Sequence, residues 1–83
     1  MLMAKPSPSY AGTSELAALG LAIRELRLNL NLSQESFAEE VGLDRSYIGG
    51  IERGEHNLAL VNLLKIAKSL GITGSQLLLK AKI

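Results

Sequence analysis

Apolar residues along this chain recur at helical steps, not in the alternation expected of a strand. Leu16, Leu19, Ile23, Leu26 and Leu30 stand three or four apart, which lines them along one helix face and predicts that face as buried. Thr13 or Ser14 supplies the cap at its start. Asn29 and Asn31, residues tolerant of left-handed backbone, end it before Leu32 returns to the core. Ser33 caps a second helix with the short inward stripe Phe37, Ala38 and Val41, stopped at Gly42. Asp44 caps a third, with Ile48 and Ile51 inward and Gly54 as its break. A fourth runs from Ala59 or Leu60 through inward Leu63, Leu64, Ile66, Ala67 and Leu70 to Gly71, with Lys65 and Lys68 on the wet side. Thr73-x-x-Gln76 is a capping-box pattern that opens a fifth helix carrying Leu77, Leu78 and Leu79. The pattern predicts an all-α fold of five short helices with brief connections and no internal repeat.

Composition limits what such a fold can be. With 83 residues, 47% of them apolar, the chain has material for one domain and its core, placed here at residues 13–83. Both prolines fall in residues 1–12, which read as a flexible N-terminal arm. No cysteine is present and His56 is the only histidine, so neither a disulfide nor a Cys/His zinc site can be built; no metal or cofactor is expected. No apolar run approaches the roughly 20 residues of a membrane span, and no signal-peptide pattern opens the chain, so a soluble cytoplasmic protein is expected. A formal net charge of +1 is low for a nucleic-acid binder and implies few phosphate contacts and a modest salt dependence. Glu39 and Glu40 are paired only in sequence, because neighbours on a helix point in different directions. With no nucleophile and base at a usable spacing either, the chain is not expected to be an enzyme.

The segment Ser33 to Gly54 has the spacing of a helix-turn-helix: a short helix with a small residue, Ala38, where helices cross, a turn at Gly42-Leu43, then a second helix. Ile23-Arg24-Glu25-Leu26-Arg27, Leu32-Ser33-Gln34-Glu35-Ser36-Phe37-Ala38, Asp44-Arg45-Ser46-Tyr47-Ile48, Ile51-Glu52-Arg53-Gly54 and Leu63-x-x-Ile66-Ala67-x-x-Leu70-Gly71 together resemble the lambda-repressor-like, or Xre-type, helix-turn-helix family. Within it, residues 44–53 look most like restriction–modification controller proteins. The resemblance covers about residues 16 to 79. It implies a compact five-helix bundle in which helices 2 and 3 form the helix-turn-helix.

It also implies roles for particular residues. Arg45, Ser46, Gly49 and Gly50, opposite Ile48 and Ile51 on the helical wheel, become the base-contacting set of a recognition helix. Arg45 suits guanine, whose O6 and N7 accept two guanidinium bonds. Gln34 corresponds to the family's phosphate-contacting position, with Ser36, Tyr47, Arg53 and Asn57 as further phosphate or flank contacts. Arg27 and Glu52 become a structural ion pair between helices 1 and 3. Leu77, Leu78, Leu79 and Ile83 exceed what one face of a terminal helix buries, and the resemblance makes them the interface of a homodimer on a palindromic operator in double-stranded DNA, the alternative being that the leucines complete the small core of their own domain. Gly49 and Gly50 depart from the longer side chains of many relatives, either for close backbone approach to DNA or as tolerated drift. The expected function is sequence-specific transcriptional regulation. The alternative is a protein-interaction module, such as an antitoxin-like partner-binding domain, favoured by Glu35, Glu39, Glu40 and Glu55.

Overall fold

The computed structural model describes residues 13–83, so the arm expected over residues 1–12 lies outside the described residues. Five helices follow one another: α1 (Ser14–Asn29), α2 (Gln34–Val41), α3 (Arg45–Glu52), α4 (Leu60–Ser69) and α5 (Gly74–Ala81). The described residues contain no strand, and none of their helices is long and apolar enough to cross a membrane. Each helix gives one side chain to the centre of the core: Ile23, Phe37, Ile48, Ile66 and Leu77 are all fully buried. Around that centre α1 packs on α3 and α5, α2 on α3 and α4, and α4 on α5.

Local chemistry sets most of the boundaries. The Thr13 hydroxyl accepts the Leu16 amide at α1, Ser33 accepts the Ser36 amide at 3.0 Å at α2, and at α5 Thr73 and Gln76 form both bonds of a capping box. Gly42 ends α2 at φ 83°, a left-handed conformation that side chains disfavour. Asn31, at φ 59°, turns the chain after α1 so that Leu32 packs against the core. Asp44 departs from expectation. It occupies the N-cap position of α3 but makes no side-chain capping bond, its carboxylate accepting instead from the Ser46 hydroxyl.

Three apolar positions sit where the period did not put them. Leu30 is exposed because α1 has ended at Asn29, so the helical phase that would turn Leu30 inward no longer applies. Leu64 is half exposed: Leu63, Ile66, Ala67 and Leu70 fill the inward face of α4, and Leu64 lies on its flank over Gly74. Leu77 is fully buried in this chain's own core, which removes it from the expected dimer interface. Leu78 is half-buried against the same core, whereas Leu79 and Ile83 are 76% and 50% exposed.

One close approach places the functional elements. At Gly20 the backbone of α1 lies against the C-terminal turn of α3, so near that a Cβ there would stand 2.6 Å from the Glu52 carbonyl oxygen. That contact brings Arg27, two turns further along α1, beside the Glu52 side chain.

Candidate nucleic-acid interface

The site is assembled around a charge pair the core has excluded from water. Arg27 Nε donates to Glu52 Oε2 at 2.7 Å and Arg27 Nη2 to Oε1 at 3.0 Å, a two-pronged contact with both side chains buried. Arg27 Nη1 donates to the Leu32 carbonyl at 2.7 Å, tying the loop after α1 to the same pair. Gln34, first residue of α2, donates from Nε2 to Glu52 Oε1 at 2.9 Å. The other end of that amide, Oε1, accepts from Arg45 Nη1 at 2.9 Å. A continuous line of hydrogen bonds therefore runs from the buried ion pair through Gln34 to the exposed guanidinium of Arg45, at the start of α3. No buried side-chain nitrogen or oxygen among the described residues is left without a partner.

This arrangement does more to Gln34 than its position at a helix start implied. It is half-buried, and both ends of its amide are engaged within the protein. Arg45 is exposed, and its position is fixed by the ends of two helices instead of by its own rotamer preferences alone. Ser46 is exposed and donates to Asp44. That bond, with the Arg45 charge adding to it, holds the Asp44 carboxyl below its ordinary value, so a carboxylate stands beside Arg45 at neutral pH and is lost only as pH falls through the acid range.

Charge on the rest of this face is likewise balanced. Arg53 Nε donates to Glu55 Oε2 at 2.8 Å, an exposed pair whose hydrogen bonds lower the Glu55 carboxyl and raise the Arg53 guanidinium. Arg53 thus carries a counter-ion of its own. Ser36 gives its amide to the Ser33 cap and accepts the Ser33 hydroxyl at 3.1 Å. Asn57 is exposed in the loop between α3 and α4.

Tyr47 is half-buried. Its hydroxyl accepts from Asn62 Nδ2 of α4 at 3.3 Å, and its ring lies 5.0 Å from the His56 ring, tilted by 52°. Gly49 and Gly50 are buried, which corrects the picture of open backbone on the outer face of α3. A Cβ on Gly49 would meet Arg53 Nη1 at 3.2 Å and Gln34 Oε1 at 3.5 Å, and one on Gly50 would meet the His56 ring.

A helix-turn-helix family model (HTH_3) matches residues 23–77, from the middle of α1 to the middle of α5. The chain belongs to the Xre, or lambda-repressor-like, helix-turn-helix family. Among the relatives of this Xre-type chain, the control protein C.MunI of a Mycoplasma species is 51% identical over 59 residues, covering 70% of this chain and 80% of the relative. In the crystal structure of the restriction–modification controller protein C.AhdI from Aeromonas hydrophila the similarity is 50% identity at a TM-score of 0.75, covering 77% of this chain and 97% of that one. A hypothetical transcription factor from Neisseria, NHTF, superposes with a TM-score of 0.75 at 36% identity, covering 93% of this chain and 84% of the other. The similar proteins are helix-turn-helix regulators and controller proteins.

Three parts of this Xre-type site escaped the sequence reading. Gly20 passed for an ordinary residue of a leucine-rich helix, although a glycine inside so strong a helical pattern is itself a signal of close approach. Asn62, on α4, gave no signal, because its link to Tyr47 exists only once α3 and α4 are packed. The seat of His56 over Gly50 joins residues six apart through a loop whose path no periodicity describes.

Proposed function

We propose that the protein is a sequence-specific transcriptional regulator that binds a palindromic operator as a homodimer, with α3 in the major groove. The observation that carries this reading is the Arg45–Gln34 bond. It holds an exposed guanidinium at the N-terminus of α3, beside the N-terminus of α2, so that a base-reading arginine and amides suited to phosphate share one edge. Arg45 reads guanine through O6 and N7, a contact worth about 1–3 kcal/mol of discrimination. Ser46, exposed one residue further along α3, adds a hydroxyl to the same edge. Gln34, Ser36, Tyr47, Arg53 and Asn57 border it and set register on the sugar–phosphate backbone. Occupying the operator then blocks or recruits polymerase without chemistry on a substrate.

Selection from a pool of random duplexes tests this. A palindrome should be enriched, and Arg45→Ala, folded as judged by its melting curve, should lose about 5- to 150-fold in affinity for it and discriminate less at the guanine. No enrichment of any sequence would reject the DNA reading and turn attention to a protein partner for the acidic face of α2.

The dimer is carried by the exposed C-terminal end of α5 and the residues just after it. Leu79 and Ile83, with half-buried Leu78 beside them, offer an apolar surface that a second copy would cover, setting two α3 helices about 34 Å apart. Leu79→Glu should therefore sediment as a monomer with its helix content unchanged; a variant that still sediments as a dimer would move the interface elsewhere.

A further inference from the structure

Gly50 and His56 are joined by a contact that the proposed DNA reading does not use. The loop after α3 folds back, its Glu55 amide donating to the Gly50 carbonyl at 2.9 Å, and this lays the His56 ring on α3 where Gly50 has no side chain. A Cβ on Gly50 would touch His56 Nε2 and stand 2.6 Å from its Cδ2. The same imidazole packs against Tyr47, one turn earlier on α3, while Asn62 of α4 holds the Tyr47 hydroxyl from the other side.

We propose that Gly50 is a notch that admits His56, and that His56 is thereby a positioning residue which fixes the Tyr47 ring at the border of the DNA-binding edge. The inference rests on the DNA reading of α3, and it gives the helix glycine a reason other than close approach to bases. A glycine weakens a helix interior by about 1 kcal/mol relative to alanine, so the notch has a thermodynamic cost. An added methyl at residue 50 would clash with the His56 side chain and come into ordinary contact with Glu55 Oε1 at 3.5 Å, both on a loop and both able to swing away. Gly50→Ala therefore displaces His56 and leaves the fold intact.

The test is a double-mutant cycle on the full chain, using the duplex recovered by selection. Gly50→Ala and His56→Ala should each weaken binding about tenfold, and the double variant should be no weaker than either, the signature of two residues acting through one contact. Tyr47 ring resonances should shift in both single variants and shift no further in the double. His56→Phe, which keeps an aromatic ring against Tyr47, should bind within about twofold of the parent. Additive losses would mean that DNA approaches the Gly50 backbone directly, and an unaffected His56→Ala would leave His56 without a role; either overturns the proposal. So does failure of His56→Phe to restore binding, which would make the ring nitrogens direct contacts. A pool with no enriched duplex rejects the DNA reading and this role together, whereas the Tyr47 resonances report on the seat in either case.

Discussion

Glu52→Ala is expected to cost the domain about 3–5 kcal/mol, a large fraction of its stability at 25 °C. The substitution removes the acceptor of three hydrogen bonds, two from Arg27 and one from Gln34, and leaves the Arg27 guanidinium buried with only the Leu32 carbonyl as partner. Breaking one side of a buried ion pair costs about 3–5 kcal/mol, because the surviving charge stays desolvated. Whole domains are stable by only about 5–15 kcal/mol. Urea unfolding should therefore show a midpoint well below the parent's at an unchanged slope. Arg27→Met combined with Glu52→Leu removes both charges and should recover most of the loss, since the pair itself contributes little net stability over apolar packing. If Glu52→Ala loses less than about 1 kcal/mol, water reaches the pair and the site is not held as described. Loss of DNA binding in Glu52→Ala would follow from unfolding and says nothing about contact with bases.

The second large effect is expected at Gly20. By helix propensity alone, Gly20→Ala should stabilise α1 by about 1 kcal/mol. The tertiary contact reverses the sign. The new methyl would stand 2.6 Å from the Glu52 carbonyl oxygen and 2.8 Å from its carbon, and backbone atoms cannot rotate out of the way. Helices α1 and α3 must separate, at a cost of about 3 kcal/mol, the upper part of the usual range for overpacking. Separation also lengthens the Arg27–Glu52 contact, so the two losses compound. Thermal unfolding followed by circular dichroism decides the matter: a melting temperature at or above the parent's would show that the helices are not pressed together at this point.

Gly20 marks the limit of what a linear pattern reveals. Ile23, Phe37, Ile48 and Ile66 declared themselves as core by spacing, and Thr73 and Gln76 declared a cap, because those signals depend on residues within one or two turns. Three successive leucines cannot share one face, so Leu77 reads as partner contact or as core, and the local pattern does not say how much of α5 is covered by α1 and α4. Gln34 was legible as the first residue of a helix, whereas its half-buried place between Glu52 and Arg45 depends on α3 being docked beside α2. Gly49 and Gly50 pointed away from the core on a wheel, and only the returning loop and the Gln34 side chain show that they are covered.

The sequence alone determined the fold class, the order of the five helices, the family and the stretch that forms the helix-turn-helix. The fold class, the order of the helices and the helix-turn-helix stretch follow from short-range periodicity, caps and breakers, whose physics acts between neighbours along the chain, whereas the family follows from the resemblance of the motifs at residues 23–71. The tertiary structure decided which leucines remain for a partner, why α1 carries a glycine, and how Arg45 is tied through Gln34 to the buried Arg27–Glu52 pair. Each of those depends on groups brought together from different helices, where close packing and the desolvation of charge, not local propensity, set the outcome.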